Sequence, residues 1–187
     1  KLFIPGPIDV KEEVLQKMAT PMIGHRGKDA SMLQKSISEK MQKLFYTNNT
    51  ILLSTSSGTG LMEGSIRSCT SKKAAVFSCG SFGDRWYKMA VANNVPADIF
   101  KVELGEATTP EMVDKVLSTG EYDLITVTHN ETSTGIRNPI EEIGEVVKKY
   151  EDVIYCVDTV SSAGGIKVEV DKIGIDICIT SVQKALG

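Results

Sequence analysis

What most limits the fold of this chain is a rhythm. Short apolar runs rich in β-branched residues, "KAAVFSCG", "ADIFKVE", "DLITVTHN", "DVIYCVDTV" and "IDICITSVQK", alternate with stretches whose apolar residues fall at helical spacing. Runs of that kind separated by helices make βα units around a mostly parallel sheet that is covered on both faces. Over residues 31–45, Met32, Leu33, Ile37, Met41, Leu44 and Phe45 recur close to the helical period and predict an amphipathic helix. "TILLST" after it reads as the first strand, and "SSGTG" opens a helix reaching about Ser68. A helix over residues 82–93 closes at "NNVP", and "TTPEMVDKVLSTG" carries a threonine cap, a proline near the first turn and a closing glycine. "NPIEEIGEVVKKY" supplies the last helix. The expected order is βαβαβαβαββ, with right-handed crossovers.

Charge and composition exclude several classes of partner. The 187 residues suffice for one large domain, which at such a length buries roughly 70% of its unfolded surface. With 24 acidic against 21 basic residues and a net charge of −3, no basic stripe marks a nucleic-acid surface. No stretch approaches the ~18 apolar residues of a membrane span. The apolar part of "KLFIPGPIDV" is too short and too broken by proline for a secretory leader, so the cytoplasm is the expected compartment. Cys69, Cys79, Cys156 and Cys178 lack CxxC spacing, and with only His25 and His129 beside them no metal site is expected. Cys156 and Cys178 lie in apolar runs, where reduced, buried thiols are common.

In sheets of this type ligands gather beyond the carboxyl ends of the strands, so the polar residues that follow the apolar runs carry the functional information. At Ser57, Gly58 and Thr59 a strand is expected to turn into a helix. Free backbone N–H groups, the positive end of the helix dipole and two hydroxyls would then converge as a phosphate cradle. The glycine spacing fits neither the dinucleotide fingerprint nor the P-loop, and an ordinary serine-capped helix would look the same. Asp158 ends a dry strand and needs a cation or hydrogen bonds, unless it only caps the next turn. Lys184 ends "IDICITSVQK"; held in an apolar pocket its amine would lose charge and become nucleophilic, whereas a snorkelling lysine is the plainer alternative. Thr132 and Ser133 in "THNETSTG" offer hydroxyls, and Phe82 in "CGSFGDR" offers an aromatic face. One ligand would use all of these together: pyridoxal 5′-phosphate, with its phosphate, its pyridinium nitrogen, its flat ring and its aldehyde.

The order and spacing of "SSGTG", "CGSFGDR", "THNETSTG", "VDTVSSAGG" and "GIDICITSVQKALG" resemble the class V aminotransferases of pyridoxal-phosphate fold type I. Within that class the chain is most similar to the alanine–glyoxylate and serine–pyruvate (serine–glyoxylate) group, from "PGP" near the start to "QKAL" near the end. The resemblance implies an α/β large domain over residues 21–187 behind an N-terminal segment 1–20, with a mostly parallel, mixed sheet flanked by helices. It implies that Lys184 bonds the cofactor and shuttles a proton, and that Asp158 holds the ring nitrogen protonated. Ser57, Gly58 and Thr59 would bind the phosphate with Gln183 on the same side, Thr132 would meet the phenolic oxygen, and Phe82 would stack where relatives often carry tryptophan. Gly24 and His25 in "PMIGHRG" are candidates for the substrate side. Family members run to about twice this length, so the small C-terminal domain and the arginine that clamps the substrate carboxylate would lie beyond Gly187. A homodimer completing the cofactor site is expected, with alanine or serine as donor and glyoxylate or pyruvate as acceptor. Aminoethylphosphonate and phosphoserine transaminases are competing members of the class. Cysteine desulfurases usually carry histidines where this chain has Gln183 and Phe82, and a non-catalytic nucleotide-binding module is the competitor outside enzymes.

Overall fold

Seven helices and seven strands follow one another in a computed structural model that describes residues 1–187. The helices are α1 (Glu12–Met18), α2 (Lys28–Phe45), α3 (Gly58–Cys69), α4 (Ser81–Ala92), α5 (Pro110–Leu117), α6 (Ile140–Val147) and α7 (Val170–Ile173). The strands are β1 (Ala74–Ser78), β2 (Ala97–Lys101), β3 (Leu124–Thr128), β4 (Asn130–Glu131), β5 (Ile136–Arg137), β6 (Ile154–Asp158) and β7 (Ile177–Ile179). Five of them form one sheet in the order β2-β1-β3-β6-β7, parallel throughout, and β4 and β5 make a separate antiparallel hairpin.

The two-residue alternation of strand side chains divides the core between the two faces of the sheet. Ala74, Val76, Leu124 and Cys156 pack with Met62, Ile66, Trp86 and Met89 of α3 and α4. Ala75, Phe77, Ile125, Val127, Tyr155 and Val157 pack with Val113, Val116, Ile140 and Ile143 of α5 and α6. Each fully buried side chain of this size contributes about 1.5–3 kcal/mol, which is why strands of five residues suffice once both faces are covered. The helix starts follow the predicted punctuation. Thr109 Oγ1 accepts the Met112 N–H (3.2 Å) with Pro110 in the first turn, and Ser57 Oγ accepts the Gly60 N–H (3.2 Å) at the head of α3.

Two expectations are corrected. "TILLST" forms no strand: Leu52 is 84% and Leu53 51% exposed, and no strand runs beside the segment. An apolar β-branched run becomes a strand only where a neighbour accepts its N–H and C=O groups, and here β7 is an open edge of the sheet. The last strand is also shorter than its apolar run, ending at Ile179, so Lys184 lies in the turns that follow β7 and not on the strand itself. Two short helices, α1 and α7, and the β4–β5 hairpin were not expected. No helix is long and apolar enough to cross a membrane.

Candidate active site

Asp158 closes β6, in register with Thr128 of β3 and Ile179 of β7. It follows Cys156 by two positions, so its side chain leaves the sheet on the face that α3 and α4 cover. Only 4% of it is exposed, and its Oδ1 accepts the Val160 N–H (2.9 Å). Burial pushes the carboxyl up to about 6; the Val160 bond and the charges of Lys184 and Arg85 pull it down, and the Glu131 carboxylate adds to the rise. A carboxyl held there is stabilised as an anion by any cation brought beside it.

The half-buried Lys184 places its Nζ 5.8 Å from the centroid of the Phe82 ring. One backbone bond ties the N-terminal arm to the lysine's turn, the Ile8 N–H donating to the Gln183 carbonyl (3.0 Å), and within the turn the Gly187 N–H donates to the Lys184 carbonyl (3.1 Å). Gly6 runs against the lysine stem. A Cβ at Gly6 would lie 3.0 Å from Lys184 Cε, and its φ of +153° belongs to backbone that glycine alone adopts freely.

Phe82 sits in the first turn of α4, half-buried. The guanidinium carbon of Arg85 lies 4.6 Å from the same ring centroid, and Arg85 Nη1 donates to Thr59 Oγ1 (3.0 Å). That bond ties α4 to the first turn of α3. There, Gly58 and Thr59 head the helix with N–H groups that no preceding turn can accept. Gly58 has no room for a side chain, because a Cβ would meet Val160 Cγ2 at 2.9 Å, so the bare backbone is pressed against the residue two beyond Asp158.

Thr132 is half-buried in the β4–β5 loop. The Ser133 hydroxyl, expected to be free, is committed: it donates to Glu131 Oε1 (2.7 Å) and accepts the Ser81 N–H (2.9 Å). Gln183 is exposed and enters the site's framework through its backbone carbonyl. Gly24 and His25 lie in an exposed turn before α2, where His25 lines a shallow surface depression with Ile23, Leu33, Ile37 and Leu53. The contacts described above therefore link Asp158, Lys184, Phe82, Thr59 and Gly58, and none of these contacts involves Gly24 or His25.

Two residues of the site escaped the sequence. Arg85 follows Phe82 by three positions on a predicted helix, and that spacing could have placed both on one face. Glu131 had no such signal, because its backbone partners Phe82 and Gly83 are 49 and 48 residues away.

The family described as Aminotransferase class-V matches residues 12–187. The chain belongs to the class V aminotransferases. Among curated relatives, an uncharacterized aminotransferase of Methanocaldococcus jannaschii is 48% identical over 99% of this chain and 49% of its own length. A serine–glyoxylate aminotransferase of Methylorubrum extorquens is 29% identical over 99% of this chain and 48% of its own. Among solved structures, the alanine–glyoxylate aminotransferase of a Nostoc species superposes with a TM-score of 0.90 at 28% identity, covering 96% of this chain and 48% of that one. The chain thus spans about half the length of the curated relatives it matches.

Class V aminotransferases depend on pyridoxal 5′-phosphate, and the donor set of this class V chain fits that group. A buried carboxylate lacking a full set of partners suits a pyridinium nitrogen, an amine beside an aromatic plate suits an aldehyde on a flat ring, and helix-head N–H groups with a threonine hydroxyl suit a phosphate.

Proposed function

We propose that the protein is a pyridoxal 5′-phosphate-dependent transaminase that moves an amino group from a small amino acid, alanine or serine, to a small 2-oxo acid, glyoxylate or pyruvate. The observation that carries the reading is Asp158, a carboxylate 96% withdrawn from solvent whose neighbouring cation, Lys184, lies over the Phe82 ring. A buried carboxylate is costly unless a cation completes it, and a ring nitrogen kept protonated is such a cation.

In this reading Lys184 Nζ supplies the amine for the cofactor's aldehyde, and Phe82 supports the ring. Ser57, Gly58 and Thr59 hold the phosphate, with Gln183 on the same side, and Thr132 faces the phenolic oxygen. When bound, the cofactor supplies an electron sink for the negative charge that develops at the substrate Cα. Asp158 keeps that sink effective by favouring the protonated ring nitrogen. Lys184 Nζ would take the proton that leaves the substrate Cα and give it back, acting as general base and then general acid. Donor and acceptor use the site in turn, giving ping-pong kinetics.

The choice of alanine or serine with glyoxylate or pyruvate is supported by the names of the Methylorubrum and Nostoc proteins. A homodimer is part of the proposal. Met18, Met22, Met32, Leu33, Leu52 and Leu53 lie exposed along the N-terminal third of the chain, an apolar surface that a second copy would cover.

The deciding experiment is reductive trapping. Borohydride added to protein equilibrated with pyridoxal 5′-phosphate should leave the added mass on the peptide containing Lys184, and a donor–acceptor panel should then give parallel double-reciprocal lines. Protein that gains no visible absorbance with the cofactor, or that is labelled at scattered surface lysines, would end the proposal.

A further inference from the structure

Glu131 is a fully buried carboxylate to which the proposed chemistry gives no task. Its Oε2 accepts the N–H groups of Phe82 and Gly83, each at 3.0 Å, and its Oε1 accepts the Ser133 N–H (3.1 Å) and the Ser133 hydroxyl (2.7 Å). Four donors on one carboxylate satisfy it completely. Two of those donors are N–H groups at the head of α4, where Gly80, the residue in the cap position, has no side chain to offer. Glu131 therefore caps α4 from another strand, and its negative charge meets the positive end of that helix. The fit is close: a Cβ on Gly80 would lie 2.6 Å from Glu131 Cγ and 2.7 Å from its Cδ.

Glu131 is joined on one side to Thr132, the next residue in the hairpin loop. On the other it holds the backbone N–H of Phe82, whose ring lies beneath both Arg85 and Lys184. Through Arg85 the same helix reaches Thr59 in the cradle. One carboxylate thus fixes the separation between the hydroxyl loop, the aromatic plate and the phosphate end.

We propose that Glu131 is a positioning residue for the cofactor, setting the height and tilt of the Phe82 plate relative to the Thr132 loop. The proposal rests on the reading of the site as one for pyridoxal 5′-phosphate. Glutamine at 131 keeps the volume but presents one acceptor oxygen and one NH2 donor. Either the Phe82–Gly83 pair or the Ser133 pair must then face a donor, and the plate shifts.

A built-in control separates this role from bulk stability. Asp123 is likewise a buried carboxylate taking backbone N–H groups, from Ser71 (2.8 Å), Lys72 (2.7 Å) and Lys73 (3.1 Å), but it stands at the opposite end of β3. Wild type, Glu131→Gln and Asp123→Asn are titrated with pyridoxal 5′-phosphate, following visible absorbance and the visible circular dichroism of the bound cofactor, with urea unfolding run in parallel. Glu131→Gln should raise the cofactor's Kd about tenfold and change the sign or at least halve the size of the visible dichroic band. Asp123→Asn, at an equal or larger loss in the unfolding midpoint, should leave both within twofold of wild type. Ser133→Ala, which removes one bond to Oε1 and the acceptor of the Ser81 N–H but leaves the Phe82 and Gly83 bonds to Glu131 in place, should give a two- to fourfold rise and keeps the question open to measurement should Glu131→Gln not fold. If cofactor affinity follows unfolding midpoint equally in the Glu131 and Asp123 variants, or if Ser133→Ala and Glu131→Gln leave affinity and dichroism unchanged, Glu131 is structural only. Wild type that binds no pyridoxal 5′-phosphate would instead overturn the underlying reading of the site.

Discussion

Two walls face each other across the candidate site, and they are built differently. One is the edge of the sheet: the buried Asp158 at the end of β6, held by the Val160 N–H, and the buried Glu131 of the hairpin, held to the head of α4. The other is the lysine turn with the N-terminal arm over it. Val182, Gln183 and Ala185 are exposed there, and a single backbone bond, from Ile8 to Gln183, crosses between the two segments. Local stability follows the number of buried contacts, so the first wall should open only with the domain, whereas the second should open at lower cost. The division suits the roles proposed for the two residues. A group proposed to hold one ring at fixed polarity stands on the more buried wall, and the amine proposed to leave and return stands on the less buried one.

The largest effect expected from this contrast is at Asp158. Asp158→Asn should lower the proposed transaminase turnover by about 10²-fold or more, as loss of a preorganised electrostatic partner does. The same change should not weaken the fold. The carboxyl's rise from 3.8 to about 6 means that burying the anion costs the cofactor-free protein about 3 kcal/mol at pH 8, and asparagine removes that cost. Activity and unfolding free energy should therefore move in opposite directions. A variant that lost both would show that Asp158 is a structural cap and not a poised charge.

Next in size is a pH effect on the rigid wall alone. His129 follows β3 and is 1% exposed; burial, then the charge of Arg137, lowers its pKa from 6.5 to about 4. The unfolded chain binds its proton first, so this group withdraws stability as pH falls from 6.5 towards 4. Asp158 behaves oppositely. Its folded pKa is raised, the folded state binds the proton first, and stability is regained as pH falls from 6 towards 4. The two contributions, each about 3 kcal/mol, nearly cancel in the cofactor-free wild type. In Asp158→Asn the histidine stands alone, and urea unfolding between pH 7 and 4.5 should reveal a loss of about 2–3 kcal/mol that the wild type lacks. Equal slopes for both proteins would remove Asp158 from the buried wall.

The rigid wall was also the legible one, though only in part. The runs that became β1, β3 and β6 could be read because each is apolar on both faces, and Asp158 stood out as the one charge closing such a run. "TILLST" carries the same signal and forms no strand, since pairing depends on a neighbour that a single run cannot specify. Glu131 was hidden because its meaning lies in amides of another element. Lys184 was recognised by residue type, but its setting in a turn past β7 was not, because "IDICITSVQK" contains no breaker between Ile179 and the lysine.

The smallest effect is the one that separates the walls most cleanly. Gly6 combines a φ of +153° with a lysine stem 3.0 Å from where a Cβ would stand, so Gly6→Ala must either strain the arm or push Lys184 away from Phe82. A residue forced into such backbone costs about 1–3 kcal/mol when its surroundings are rigid. Here the surroundings are an arm joined to the lysine turn by one backbone bond, so the cost should appear as local detachment, with global stability changed by less than about 0.5 kcal/mol. The amine then spends less time over the plate, and borohydride trapping at limiting cofactor should fall several-fold while the unfolding midpoint stays in place. If the midpoint drops in proportion to the trapping, the arm is part of the rigid body, and the mobility assigned to the lysine turn is wrong.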